Sequence, residues 1–597
     1  MSAHRRMLHG GRNLRLEALD GGLVELCLDR KGDLINKLDA HTLAELKEAI
    51  ALIAATPEIR GVLVTSAKDS FMVGADLGEL NEKLRWPHAE LVEDLRSSNE
   101  ALVALEDLAT PTVAAIDGQA LGCGFELTLA CAIRVVSDRA QVGLPEVGLG
   151  LVPGFGGSVR LPRLMSPAMA ADWIVDGQTR SADQAHAAGI ADALCASEQL
   201  RATALDWLQR AAGGTTDWKA AQQRKRHGRP PGFHGTATEV PNGASGLAAL
   251  ELLHRVAVLE RDAALAAEHE AFARIARTQA AAAQVQTFLN TQRVKRLARE
   301  RAGVGRAATR AIAWCEQTDP EELAAADLVL IELEAARIDR AAGPAVELLR
   351  SVEAGMAPGA VLLAGRGFDR IDELTLHLQC PDRLVGIRLY EGQGAASLAE
   401  IVCGQATSTQ AVAVAVAHAL GRRRTPVVVK DGTGGLVLRM LATLAAAADR
   451  ARAQGFEAAF IESAMTGFGW RQGSLALHAV MMRAEPPPAE ASLSAAGSAV
   501  RGEGSEQLLD HLMLPLIVDS ARALEQGMVS SAAELDLSAL IALGCPAHAG
   551  GPLKYADWIG LEEVVRRCDA MRANGVDCEP TPRMRQMAVA GAAFHSP

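Results

Sequence analysis

The stretch from Thr110 to Leu161 constrains this chain more than any other, because it combines two acidic residues with many glycines. An apolar run, Val113 to Ile116, predicts a buried strand, and Gly122-Cys123-Gly124 predicts a tight turn after it. A helix then begins, with Glu126 in its first turn. The free N–H groups at such a helix N-terminus, together with the helix dipole, favour a developing negative charge.

A second acid, Glu146, follows 20 residues after Glu126. That separation lets the chain run out along one helix and return beside it, so the two carboxylates can face one small space. The next loop, PGFGG at residues 153–157, has almost no side chains and lets a substrate or a water molecule approach the backbone. Taken singly, each feature is common, since a glutamate in a first helical turn usually complements the dipole and glycine-rich turns are usually only turns.

Four motifs taken together are more specific, and they are FMVGAD from Phe71 to Asp76, ATPTVAAIDGQALGCGFELTLACAIRV, LPEVGLGLVPGFGGSVRLPRL and GQTRSADQAHAAGIAD. They resemble the crotonase (enoyl-CoA hydratase/isomerase) superfamily, and in particular the hydratase module of the alpha subunit of the bacterial fatty-acid oxidation complex. The resemblance covers about the first third of the chain. It implies an α/β protein whose N-terminal domain is a crotonase-type ββα spiral.

The resemblance also implies residue roles. Glu126 would polarise the water and Glu146 would be the main acid/base, while Gly154 would line the water site. The backbone N–H groups of Ala75 and Cys123 would form the oxyanion hole. Cysteine replaces the glycine usual in the family at position 123, and its side chain can crowd the thioester or force a strained φ. The substrate-binding positions implied are Gly74, Asp76 and Gly122.

Two acids at one site favour an enoyl-CoA hydratase, which adds water to trans-2-enoyl-CoA to give 3-hydroxyacyl-CoA in a β-oxidation-type pathway. One alternative is another crotonase-type reaction, either enoyl-CoA isomerisation or hydration of a bulky or cyclic acyl-CoA, and Cys123 keeps it open. Another is a scaffold subunit of a β-oxidation complex. The retained acids argue against that role.

The segment after the hydratase motifs is interpreted as a connection. Residues 222–232 are basic and rich in proline and glycine, which predicts a solvated linker. Attraction of the CoA phosphates is the alternative for this segment. From Leu247 to Arg299 the alanine-rich sequence predicts long helices, which resemble the linker helices of the alpha subunit.

In that family a 3-hydroxyacyl-CoA dehydrogenase module follows, and its dinucleotide-binding start carries G-x-G-x-x-G. Here the corresponding sequence is ERAGVGRAATRAIAWCEQTDPEEL, with no apolar strand before the glycines. Only 24 residues separate Arg301 from Ala324, inclusive, whereas a βαβ unit takes about 30. The sequence therefore predicts that the NAD-binding half is deleted and that no NAD is bound.

Other dehydrogenase positions are also altered. The expected histidine is Arg388, which cannot act as a base because a guanidinium does not deprotonate. Its acidic partner is retained as Glu400, which predicts a salt bridge. Gly367 stands where the family pattern has a polar residue, and Leu438 stands where it has an asparagine. An inactive dehydrogenase module is expected.

The predicted domains are hydratase (1–212), linker and long helices (213–300), truncated Rossmann-like remnant (301–425), first helical domain (426–484), flexible linker (485–504) and second helical domain (505–597).

Composition narrows the possible partners and the possible cellular location of the protein. A net charge of −12 argues against a nucleic-acid partner, and the ten scattered cysteines predict reduced thiols in a cytoplasmic protein without a metal site. The sequence contains no run of 18 apolar residues, so no membrane span is predicted. Acyl-CoA is the expected substrate. The resemblance implies a possible thiolase partner and a dimer or hetero-oligomer.

Overall fold

The computed structural model describes residues 6–228, 243–303, 310–315, 317–332, 342–366, 368, 370–392, 396–432, 434–474, 476–477 and 505–595. The chain divides into two compact units, one ending at Val285 and the other beginning at Gln286.

The first unit contains ten strands and eleven complete helices among its described residues. The strands are β1 (Met7–Gly10), β2 (Leu14–Ala18), β3 (Leu23–Leu28), β4 (Gly61–Ser66), β5 (Thr112–Ile116), β6 (Gln119–Leu121), β7 (Ile133–Ser137), β8 (Gln141–Gly143), β9 (Arg180–Ser181) and β10 (Ala193–Cys195). The helices are α1 (Ala40–Ala54), α2 (Leu77–Lys83), α3 (His88–Glu106), α4 (Cys123–Ala130), α5 (Gly157–Leu164), α6 (Pro167–Asp176), α7 (Ala182–Ala187), α8 (Leu200–Ala212), α9 (Trp218–His227), α10 (Gly243–Val256) and α11 (Arg261–Ala276).

A seven-stranded sheet with the order β1-β2-β3-β4-β5-β7-β10 forms the framework of this unit. The β2–β3 hairpin is antiparallel, and the pairs from β3 through β10 are parallel. A second sheet has the order β6-β8-β9, and its first strand, β6, belongs to the segment that connects β5 to β7. Because α4 connects β6 to β7, its N-terminus starts where the small sheet ends.

The helices α10 and α11 pack against α3, α5 and α6, and so belong to the first unit. Apolar residues of α11, including Leu265, Phe272 and Ile275, are buried in these contacts. The helices predicted as a linker therefore complete the unit that carries the hydratase motifs.

The prediction of a solvated linker at 222–232 is wrong for its first part. Residues up to His227 form α9, and the side chains of Gln222 and Lys225 are buried. The basic sequence concealed this helix because Lys225 is buried by donating hydrogen bonds to main-chain carbonyls rather than by apolar contact. Residues 229–242 lie outside the described part of the chain.

The second unit has one sheet followed by helices. After α12 (Gln279–Gly303), which crosses the division between the units, come the elements β11 (Ala311–Ala313), α13 (Pro320–Ala324), β12 (Leu328–Ile331), α14 (Ala342–Gly355), β13 (Val361–Ala364), α15 (Ile371–Thr375), β14 (Leu384–Glu391), β15 (Ser397–Cys403), α16 (Thr409–Gly421), β16 (Thr425–Lys430), α17 (Leu436–Ala453), α18 (Ala458–Phe468), α19 (Ser505–Glu525), α20 (Ala532–Ser538), α21 (Pro552–Ile559), α22 (Leu561–Ala573) and α23 (Pro582–Ala590).

The six strands pair in chain order, and only the β14–β15 pair is antiparallel. Strand β11 was not expected from the sequence. It has only three residues, Ala311 to Ala313, and they are exposed or half-buried at the edge of the sheet, so the apolar run is too short to be recognised as a strand. Helices α17 and α19 pack together in the core of this unit. The predicted flexible linker at 485–504 lies outside the described residues.

Candidate functional site

The N-terminus of α4 is the centre of the site. Gly122 precedes the helix with φ of 53°, a conformation that favours glycine, and the amide of Glu126 donates to the Gly122 carbonyl at 2.9 Å. The whole helix is buried, and Glu126 is 1% exposed. A carboxyl group is thus held in an apolar environment beside free helix N–H groups.

The glycine loop, residues 153–158, contacts that carboxyl group directly. The amides of Phe155 and Gly157 donate to Glu126 Oε1 at 2.9 Å and 2.7 Å. A Cβ on Gly157 would lie 2.8 Å from the same oxygen, so the backbone approaches the carboxylate too closely for a side chain at that position. These two hydrogen bonds fix the orientation of Glu126.

The two amides predicted for the oxyanion hole lie where two segments of the backbone approach each other closely. A Cβ on Gly122 would lie 3.9 Å from Gly74 Cα, and Ala75 and Cys123 follow these two glycines. Among the described residues, neither the Ala75 N–H nor the Cys123 N–H has a hydrogen-bond acceptor. The strained φ falls on Gly122 rather than on Cys123, since Arg423 is the one described non-glycine residue with positive φ. Cysteine is therefore accommodated without backbone strain.

Glu146 lies in a short helical turn, Pro145–Leu149, that faces the start of α4. Its Oε1 would be 2.8 Å from a Cβ on Gly122, which places the carboxyl group against the turn that precedes Glu126. Glu146 Oε2 is enclosed and has no hydrogen-bond partner among the described residues. This oxygen is available to a ligand.

Burial and mutual repulsion dominate the electrostatics of the site. Burial raises the pKa of Glu126 well above its ordinary value, and the nearby charges of Glu146 and Glu268 raise it further. Burial raises the pKa of Glu146 to about 8, and the charge on Glu268 adds to this effect. The carboxyl groups therefore cannot all be ionised at neutral pH. A protonated and an ionised carboxyl group in one site can act as an acid and a base.

Glu268 was missed by the sequence analysis. It lies on α11, is fully buried, and accepts hydrogen bonds from the Gly156 and Ser158 amides at 2.5 Å and 3.0 Å. Leu265 and Phe272 lie three residues before and four after it, on the same buried helical face. An acid on an apolar helical face was the signal available in the sequence.

Three other positions predicted from the sequence are Gly154, Asp76 and Gly367. Gly154 packs on Phe272 of α11, since a Cβ there would lie 2.9 Å from that ring. Asp76 caps α2 by accepting from the Gly78 amide at 2.9 Å and pairs with Lys37 at 3.4 Å, so its carboxylate serves local structure. Gly367 lies outside the described residues.

Arg388 and Glu400 are direct neighbours across the β14–β15 pair in the second unit. Arg388 is buried and donates to the carbonyls of Gly365 and Phe368, at 3.4 Å and 2.7 Å. Glu400 Oε1 accepts from the amides of Leu436 and Val437 at 2.7 Å and 3.1 Å, and so caps α17. Leu438 packs at the edge of the apolar core.

Comparisons with known proteins identify the family to which the chain belongs. Residues 19–228 match the family model described as enoyl-CoA hydratase/isomerase. The chain is 31% identical to a fatty acid oxidation complex subunit alpha of Pseudomonas syringae pv. tomato, over 98% of this chain and 99% of that protein. It is 30% identical to the protein of the same name in Ectopseudomonas oleovorans, over 98% and 100%. A crystal structure of an enoyl-CoA hydratase from Bacillus anthracis is 29% identical, with a TM-score of 0.32, covering 36% of this chain and 81% of its own.

The first unit thus carries a crotonase-type enoyl-CoA hydratase/isomerase domain, and the predicted α/β fold class is confirmed. The whole chain belongs to the family of fatty acid oxidation complex alpha subunits. In the described residues, no group of three or more histidine, cysteine or acidic side chains could hold a metal ion. No helix within the described ranges is long and apolar enough to span a membrane.

Proposed function

We propose that the first unit is an enoyl-CoA hydratase that adds water to trans-2-enoyl-CoA, and that the second unit has no dehydrogenase activity. The observation that carries the hydratase assignment is the pair Glu126 and Glu146, two enclosed carboxyl groups with raised pKa beside the free amides of Ala75 and Cys123. Hydration requires an acid, a base and donors for the thioester oxygen, and these residues supply all three.

In the proposed reaction the thioester oxygen accepts hydrogen bonds from the Ala75 and Cys123 amides while negative charge develops on it. Glu146 donates its proton to C2, and the oxygen of a water molecule bonds to C3. Glu126 accepts a proton from that water, and the two backbone N–H groups that donate to its carboxylate oppose the rise in pKa caused by burial. One proton then has to return from Glu126 to Glu146 for the next turnover.

Three observations support the absence of dehydrogenase activity. Arg388 stands where the catalytic histidine is expected, and its guanidinium is occupied by two main-chain carbonyls. Oε1 of Glu400 is occupied as the cap of α17. The alignment with the Pseudomonas syringae protein spans 714 positions, whereas this chain has 597 residues, so the relative carries segments that this chain lacks.

The turn after β11 gives a further argument against NAD. A dinucleotide-binding turn is glycine-rich and precedes a helix N-terminus that accepts phosphate. The sequence from 314 to 319 has no glycine, and the Asp319 carboxylate accepts from the Glu321 amide at 2.8 Å at the start of α13. Glu321 and Glu322 add negative charge to that turn, which repels a pyrophosphate.

The test is the loss of enoyl-thioester absorbance when crotonyl-CoA or a longer 2-enoyl-CoA is added, followed by addition of NAD. We expect hydration by the wild type and a loss of about 10²–10⁴-fold in kcat for Glu146→Gln. The exposed Glu58→Gln serves as control. Formation of NADH would contradict the dehydrogenase assignment, and failure to hydrate either substrate would contradict the fatty-acyl hydratase assignment.

A further inference from the structure

We propose that Glu268, contributed by α11, is a positioning residue of the hydratase site, which anchors the glycine loop opposite Glu126 and sets the pH range in which Glu126 and Glu146 work. The proposal rests on the hydratase function proposed above. It adds a third carboxyl group to the site, from a helix beyond the residues that match the hydratase/isomerase family model.

The geometry of the loop carries the proposal. Four consecutive amides, from Phe155 to Ser158, alternate between two carboxyl groups. The first and third donate to Glu126, and the second and fourth donate to Glu268. The Ser158 hydroxyl also donates to Glu268 Oε2. The loop is therefore held from both sides, and a displacement at Glu268 would be transmitted directly to Glu126.

The groups around Glu268 leave its charge only partly compensated. Arg160 and Arg163 of α5 face it, as does Glu126 of α4, but Arg160 is already paired with the buried Glu106 of α3 and donates to the Phe155 carbonyl at 2.7 Å. His269, the next residue on α11, is bonded to Asn99 of α3, and burial lowers its pKa to about 4, so it adds no charge at neutral pH.

Burial raises the pKa of Glu268 to about 7. The hydrogen bonds from the Ser158 hydroxyl and from the Gly156 and Ser158 amides, and the charge of Arg160, lower the pKa but do not offset the effect of burial. When Glu268 is ionised, its charge raises the pKa of both Glu126 and Glu146. Removal of that charge therefore lowers both, and the pH profile of hydration moves toward acid. A residue that only stabilised the fold would lower activity without moving the profile.

The experiment compares kcat against pH, in the full-length chain, for the wild type, Glu268→Gln, Glu268→Asp and Glu270→Gln. Glu270 is an exposed carboxylate two residues further along α11 and is the matched control. We expect Glu268→Gln to lose at least about tenfold in maximal kcat and to shift its profile by about one pH unit toward acid. Glu268→Asp keeps the charge but shortens the side chain, so its kcat should fall while its profile stays in place. Glu270→Gln should match the wild type.

A folded Glu268→Gln protein, judged by circular dichroism, whose profile superimposes on that of the wild type would overturn the proposal. If Glu268→Gln does not fold, Ser158→Ala takes its place, because it weakens the support of the ionised form without removing the carboxylate. An unshifted Ser158→Ala profile then overturns the proposal as well.

Wild-type protein that hydrates no 2-enoyl-CoA would refute the hydratase assignment, not the electrostatic coupling. In that case infrared titration of the carbonyl bands of protonated carboxyl groups decides. The bands of Glu126 and Glu146 should titrate at lower pH in Glu268→Gln, or in Ser158→Ala, than in the wild type. An unchanged titration overturns the proposal.

Discussion

The ammonium group of Lys225 donates to the main-chain carbonyl of Cys131 at 3.0 Å, inside the first unit. It also donates to the carbonyls of Leu129 and Ala130, both at 2.8 Å, and its side chain is fully buried. The cation thus caps the C-terminus of α4, the helix whose first turn holds Glu126. Such a cation complements the negative end of the helix dipole, although burial lowers the pKa of Lys225 to about 7.

Lys225→Met should destabilise the first unit by about 3 kcal/mol, because three buried carbonyls lose their donor and methionine replaces only the apolar stem. Thermal or urea unfolding measures the loss. Lys219→Met, on the exposed side of the same helix, is the matched control and should have little effect. Equal stability of the two variants would show that the buried ammonium group has no net stabilising role.

Gly157→Ala should reduce kcat of hydration by about 10²-fold with a smaller change in KM, because the new Cβ would lie 2.8 Å from Glu126 Oε1 and displace it. Gly148→Ala provides the comparison, since a Cβ at that position meets nothing within 4 Å although Gly148 is two residues from Glu146. Steady-state kinetics with crotonyl-CoA distinguishes them. Similar losses in both variants would contradict the steric argument.

Glu146→Gln should stabilise the first unit relative to the wild type, and the gain should grow with pH. The folded-state pKa of Glu146 is raised to about 8, so its contribution to stability is complete below about 4.5 and is lost as pH rises through 8. Glutamine does not titrate. The difference between the two proteins in free energy of unfolding should therefore increase between pH 5 and 8 by on the order of 1 kcal/mol per pH unit. A difference that is constant with pH would refute the raised pKa.

Glu400→Ala should destabilise the second unit by about 1–2 kcal/mol, because the amides of Leu436 and Val437 lose their acceptor at the start of α17. Hydration should be unchanged, since all residues assigned to that reaction lie in the first unit. In the companion variant Arg388→His, which restores the family's histidine, we expect no NADH from 3-hydroxyacyl-CoA and NAD. NADH production by that variant would show that the cofactor-binding half has been retained.

Local patterns carried most of what the sequence could predict. Glu126, Glu146 and the glycine loop fall within one short stretch, and a strand, a turn and a helix start each have their own signature there. Strand β11 had no such signature, because a three-residue edge strand is too short to show a period. The substitution at Cys123 suggested strain, but the positive φ lies one residue earlier, at Gly122.

The sequence by itself determined the family, the fold class and the two glutamates proposed for catalysis, since these depend on residues close together in the chain. Tertiary structure alone placed Glu268 beside the loop 110 residues before it and Lys225 beside carbonyls 94 to 96 residues before it. A buried charge is stable only where its partners are brought to it by packing. That requirement links distant segments, so the partners of Glu268 and Lys225 cannot be predicted from the sequence of the helices that carry them.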